Sequence, residues 1–172
     1  MSTVVLLDTG YDQMQAKLDL MNAAKKGDEL LVSTYLFGIR GGEDPVQWWV
    51  TDALVRAAER GAIVHLLVDA CGLWAGDENL KILLQGKVQV HVFEMAFVKE
   101  HPLDFYKRMH DKIVILNHAD GSTGELILGS RNLTQGFDLN LKKNPPHERD
   151  IYYRGPQVAQ ATEHYKSFLD NR

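Results

Sequence analysis

Seven short apolar runs, separated by helical-period stretches or turns, constrain this chain more than any other feature. Val4–Leu7, Leu30–Phe37, Ala62–Val68, Val88–Phe93, Lys112–Leu116, Leu126–Leu128 and Ile151–Tyr153 have the length and composition of strands. Four other stretches read as helices. Tyr11–Lys26 spaces Met14, Leu18, Met21 and Ala24 at helical intervals and stops at Gly27. Pro45 opens a second helix through Trp48, Trp49, Leu54, Val55 and Ala58, ending before Gly61. Asp77–Gln85 starts on a capping aspartate and closes at Gly86, and Gln157–Leu169 follows the Gly155-Pro156 turn. Gly38–Asp44 and Gly136–Pro146 read as loops, and Ala96–Tyr106 is the least regular stretch. Strands alternating with helices predict an α/β domain with helices on both faces of its sheet. The turn-rich His118–Gly124 joins two strands directly, so the expected sheet is mixed, though mostly parallel. With neither an internal repeat nor a linker, residues 1–172 read as one domain.

Composition narrows the class. A hydrophobic fraction of 45% and a charged fraction of 24% describe an ordinary soluble protein. No window approaches ~18 uncharged apolar residues, so no transmembrane segment is expected. The first residues lack a basic n-region and read as a strand rather than a signal peptide. Cys71 is the only cysteine; it reads as a small buried side chain and fits a reducing, cytoplasmic compartment. The net charge of −4 argues weakly against a nonspecific nucleic-acid binder but says little about a small phosphate pocket.

The chemistry concentrates in two places. His110 and Lys112 stand two apart at the start of an apolar β-branched run, so a strand puts them on one face. Gly129-Ser130-Arg131-Asn132 ends a neighbouring run: Gly129 allows close backbone approach, Ser130 and Asn132 can face one pocket, and Arg131 points away. Imidazole, ammonium, hydroxyl and amide together can attack and hold a phosphoryl group. His-x-Lys alone is weak, since it recurs at His164-Tyr165-Lys166. That copy falls in a helix, where i and i+2 do not share a face, and reads as a solvated surface.

His110-x-Lys112 with Gly129-Ser130-x-Asn132 resembles the HKD motif of the phospholipase D superfamily. Ala57–Asp69, Arg108–Lys112 and Glu148–Pro156 are similar to segments of bacterial cardiolipin synthases and related phosphatidyltransferase-like proteins, above all their N-terminal halves. The resemblance covers roughly residues 10 to 170. The aspartate expected after four further residues is Asn117, the connection to Gly129 is longer than usual, and Asp120 is a candidate substitute.

The resemblance implies that His110 attacks phosphorus and forms a phosphohistidine, with Lys112 and Asn132 binding the nonbridging oxygens and Ser130 bonding within the pocket. Glu148 best matches the acidic residue that fixes the histidine tautomer, and Asp150 is second; a solvated loop charge is the plain alternative for Glu148. No metal and no cofactor is implied. A second histidine must protonate the leaving oxygen, and His65, His91, His101, His118 and His147 all lack the lysine partner. The expected partner is therefore a second copy in a homodimer or a second repeat. Phospholipid is the expected substrate; nucleic acid cut by a homodimeric nuclease, and a degenerate phosphate-binding or dimerisation domain, are the alternatives. Adjacent Trp48 and Trp49 put at most one indole in the core and leave the other for a peripheral membrane or dimer contact. Trp74, in the loop after Asp69, is a candidate for the pocket rim. Lys99, Lys107, Arg108, Lys142, Lys143 and Arg149 read as solvated charges or as a local basic mouth.

Overall fold

A computed structural model describes residues 2–8, 10–35, 37, 45–70, 78–93, 111–130, 132–133 and 149–170. The elements run β1 (Thr3–Leu7), α1 (Gly10–Ala23), β2 (Glu29–Thr34), α2 (Pro45–Glu59), β3 (Ile63–Asp69), α3 (Glu78–Gln85), β4 (Gln89–Phe93), β5 (Lys112–Asn117), β6 (Glu125–Gly129), β7 (Asp150–Arg154) and α4 (Val158–Asp170). The strands form one seven-stranded sheet in the order β1-β7-β6-β5-β2-β3-β4.

The sheet is mixed, as the hairpin signal requires, but it is not mostly parallel. Among the described residues only β2–β3 and β3–β4 pair in parallel, with α2 and α3 in the respective crossovers. β1–β7, β2–β5, β5–β6 and β6–β7 are antiparallel. The short His118–Gly124 connection leaves β6 no geometry other than antiparallel to β5.

Helices cover both faces. Leu30, Val32, Val64, Leu66, Val68, Val114, Leu116 and Ile127 meet the buried faces of α1, α2 and α3. Leu31, Leu67, Ile113 and Ile115, the alternate residues of the same strands, meet Val158 and Tyr165 of α4. Near-continuous burial of Leu30–Thr34 and Lys112–Leu116 follows, since both faces of the central strands are covered. Gly27 stands at φ 84°, which lets the chain turn sharply from α1 into β2.

The tryptophans agree with the expectation that at most one indole enters the core. Both lie outside the core, Trp48 46% and Trp49 50% exposed. α2 buries Val46, Gln47, Val50, Thr51, Leu54 and Ala57, a stripe at helical spacing that leaves residues 48 and 49 on the outward side. Among the described residues, no helix is long and apolar enough to cross a membrane.

Candidate active site

The ends of several strands make one cross-strand row. Lys112, first in β5, is the register partner of Gly129, last in β6. Gly129 partners Asp150, first in β7, and Asp150 partners Leu7, last in β1. Register partners share a face. Lys112 alternates with Val114 and Leu116, so the row faces the α1–α3 core.

Lys112 is buried, with its ammonium 5.6 Å from the centre of the Tyr35 ring. A cation so placed gains from the ring quadrupole while it is withdrawn from bulk water. Gly129 has a steric reason to be glycine, because a Cβ there would overlap the Asp150 carboxylate. The close approach read from the sequence is thus made by a side chain of the adjacent strand.

Asp150 organises the turn that follows. Its Oδ1 accepts the Ser130 N–H at 3.2 Å. Its Oδ2 stands 2.8 Å from Lys17 Nζ as an ion pair, off the line of a hydrogen bond. Two residues on, Asn132 Oδ1 accepts the Thr34 hydroxyl at 3.4 Å, and the Thr34 oxygen accepts the Leu133 N–H at 3.1 Å. Ser33 donates to the Asp111 carbonyl at 3.4 Å, just before Lys112.

Of the expected site residues, the structure brings together Lys112, Ser130 and Asn132, at one end of the β2–β5–β6–β7 layer. His110 and Glu148 lie outside the described residues, as do Cys71, Trp74, Arg131, Lys99, Lys107, Arg108, Lys142 and Lys143. Arg149 is exposed and stands 3.5 Å from Asp8 Oδ1. The second His-x-Lys diverges as helix geometry demands: His164 Nε2 meets Asp111 Oδ2 at 2.9 Å, and Lys166 Nζ meets Glu29 Oε1 at 3.0 Å.

At the far end of β5, Asn117 donates to Glu29 Oε2 at 3.1 Å and exchanges hydrogen bonds with the Thr162 hydroxyl. Asp120 does not reach this place; it accepts the Ser122 N–H at 2.8 Å and closes its own turn. The carboxylate that anchors the β5 exit is Asp28, which accepts Lys25 N–H and Ala119 N–H, each at 2.9 Å. Burial pushes Asp28 up, but those two N–H donors and nearby His118 outweigh it and hold the carboxyl below its ordinary value.

Lys17, Thr34, Tyr35 and Asp28 were not singled out from the sequence. Lys17 did carry a signal: it falls three after Met14 and four before Met21, inside the apolar stripe of α1. A lysine there needs a buried partner.

The family model described as "Cardiolipin synthase, PLD-like domain" matches residues 18–164. Nuc from Salmonella typhimurium, a phospholipase D family member, is similar in structure with TM-score 0.65 and 18% identity, over 99% of this chain and 95% of that one. NucT from Helicobacter pylori has TM-score 0.70 and 18% identity, over 99% and 97%. Phosphatidylserine synthase from Haemophilus influenzae Rd KW20 has TM-score 0.61 and 11% identity, over 94% of this chain and 35% of that one. No curated protein sequence matches the chain. At these identities the structural likeness is one of fold.

Proposed function

Since the chain belongs to the PLD-like, cardiolipin synthase family, we propose that it is a phosphodiester hydrolase or transferase acting on phospholipid through a phosphohistidine at His110. The observation that carries the reading is the placement of Lys112: an ammonium buried in the sheet, directly across from Gly129, whose chain continues into Ser130 and Asn132. His110 precedes Lys112 by two residues, the interval that sets both on one face of an extended chain.

In the reaction one imidazole nitrogen of His110 attacks phosphorus, and the bond to the leaving oxygen breaks. Lys112 and the Asn132 amide neutralise the nonbridging oxygens as charge develops. A second histidine donates a proton to the leaving alkoxide, then takes one from water or an alcohol, which displaces the His110 nitrogen. Glu148 accepts from the other nitrogen of His110 and fixes its tautomer. The second histidine comes from a second copy of the motif. Near-complete coverage of the Nuc and NucT chains supports a pair of like chains as its source.

The lipid assignment is supported by Trp48 and Trp49, exposed at the start of α2, and by the described family of the matching model. Indoles are favoured at a lipid–water boundary. The test incubates the full chain without added metal with phosphatidylglycerol dispersions and, separately, with single-stranded DNA. Lipid turnover that vanishes in His110→Ala is the expected result. Consumption of DNA instead moves the substrate to nucleic acid. Undiminished turnover by His110→Ala refutes the mechanism, and consumption of neither substrate favours a binding domain.

A further inference from the structure

We infer that Asp150, charge-balanced by Lys17, is the positioning residue of the Gly129–Asn132 loop. The inference rests on the phosphodiester reading of that loop and adds two residues to it. Asp150 lies in the space that a glycine at 129 leaves open, two strands from Lys112 along the same row, with Gly129 between them. From there Oδ1 takes the N–H of Ser130, the first residue beyond the strand.

That hydrogen bond and the Thr34 contacts clamp the turn on both sides: Ser130 from β7, Asn132 and Leu133 from β2. With its carbonyl oxygen accepting from Thr34, Asn132 presents its NH2 as the donor end. Asp150 thus holds the Ser130 backbone, and Thr34 holds the Asn132 side chain through its carbonyl oxygen.

Lys17 explains how a carboxylate is kept there. Lys17 and Asp150 are 1% and 0% exposed, so neither charge is solvated by bulk water. An ionised Asp150 is acceptor-only, which suits the Ser130 N–H. α1 is fixed to the same corner one turn earlier, where buried Gln13 donates to the Leu7 carbonyl at 3.0 Å, and Leu7 is Asp150's register partner. α1 thereby reaches the corner of the sheet where the loop begins.

The pair's charge and its hydrogen bond are separable. Lys17→Met with Asp150→Asn removes both charges and retains an oxygen for Ser130. Lys17→Met with Asp150→Leu has nearly the same shape and no acceptor. A purely structural ion pair predicts equal behaviour of the two double variants. Positioning predicts that the asparagine double variant recovers kcat to within about threefold of the native chain, whereas the leucine double variant, folded by urea titration, loses roughly 10- to 100-fold in kcat with KM little changed. Amide exchange at Ser130 is the second readout: protected in the native chain and the asparagine double variant, at least about tenfold faster in the leucine one. Equal kcat and equal exchange in the two doubles overturn the inference. If the native chain turns over no phosphodiester, the functional reading fails, while the exchange comparison still decides whether Asp150 holds the loop. Should leucine prevent folding, Asp150→Ala in the Lys17→Met background removes the acceptor with a smaller side chain.

Discussion

Restoring the family's aspartate at Asn117 should harm this chain. Asn117 Nδ2 donates to Glu29 Oε2 at 3.1 Å, so Asn117→Asp replaces a hydrogen bond to a charged group by two facing carboxylates. Loss of such a bond costs about 1.5–3 kcal/mol. Repulsion at that separation adds ~1 kcal/mol at the dielectric of water and ~5 kcal/mol at an effective value of 20. Glu29 is partly exposed and is held by Lys166 at 3.0 Å, which places the repulsion near the low limit. The one proton of the Thr162 hydroxyl is shared between the Val158 carbonyl and Asn117 Oδ1, and can be donated to a carboxylate as readily as to the amide oxygen. The net expectation is a loss of about 2.5–4 kcal/mol at pH 7, read as a fall of roughly 1–2 M in the urea midpoint. Glu29→Gln should rescue it, because the new amide can donate to the introduced carboxylate; the coupling in the double-mutant cycle should be about 2 kcal/mol. Facing carboxylates raise a folded-state pKa, so the folded variant binds the extra proton first and its deficit shrinks as pH falls toward about 4. Asn117→Asp as stable as the native chain at pH 7, or equally unstable with Glu29→Gln, refutes the reasoning.

Gly129→Ala must push the Asp150 carboxylate away from Lys17 or break the β6–β7 register, so urea titration should show a loss of about 3–5 kcal/mol, the scale of a broken buried pair; a change under ~1 kcal/mol would sink the steric argument. Asp28→Ala leaves the Lys25 and Ala119 N–H groups without their acceptor and should cost about 2–4 kcal/mol by the same measurement. Because Asp28 is held below its ordinary value, its contribution is complete above the unfolded pKa of 3.8 and is lost as pH falls through the lower folded value; the acid limb of a stability–pH curve should flatten in Asp28→Asn. His65 Nδ1 and His91 Nε2 lie 2.9 Å apart with ring centroids at 5.2 Å, which sets the rings edge to edge about one shared proton. Burial holds His65 below 6.5, so the unfolded chain protonates first and Tm should fall as pH drops from 7.5 to 5, with a weaker slope in His65→Gln.

The sequence carried the elements well because their signals are local. Gly27, Pro45 and Gly86 punctuate the helices, and all seven apolar runs became strands. The balance of parallel and antiparallel pairs was not local: it depends on β5 lying beside β2 and on β7 reaching β1, and no periodicity within a strand encodes which strand lies next to it. The two tryptophans show the same limit: amphipathic spacing allowed at most one indole in the core but did not say whether either would enter, since it gives the angle between two indoles and not the direction in which the neighbouring elements lie.

The same distinction runs through the site. That Lys112, Ser130 and Asn132 lie near one another could be read from the sequence because their residue types suggested one chemistry; strand alternation bears on Lys112 alone, since Ser130 and Asn132 lie beyond the end of β6. Their supports could not be read there, since each joins residues far apart in the chain: Lys17 to Asp150, Thr34 to Asn132, Asp28 to Ala119. A polar residue inside an apolar stripe is nevertheless a local signal that a distant partner exists, because a buried ammonium without one is too costly to persist. Lys17 met that condition in the sequence, and Asp150, which starts a strand, was already a candidate for another role. Joining them required the sheet order, which brings β7 beside β6 under α1; once that order is known, the missing side chain at Gly129 marks where the carboxylate must lie.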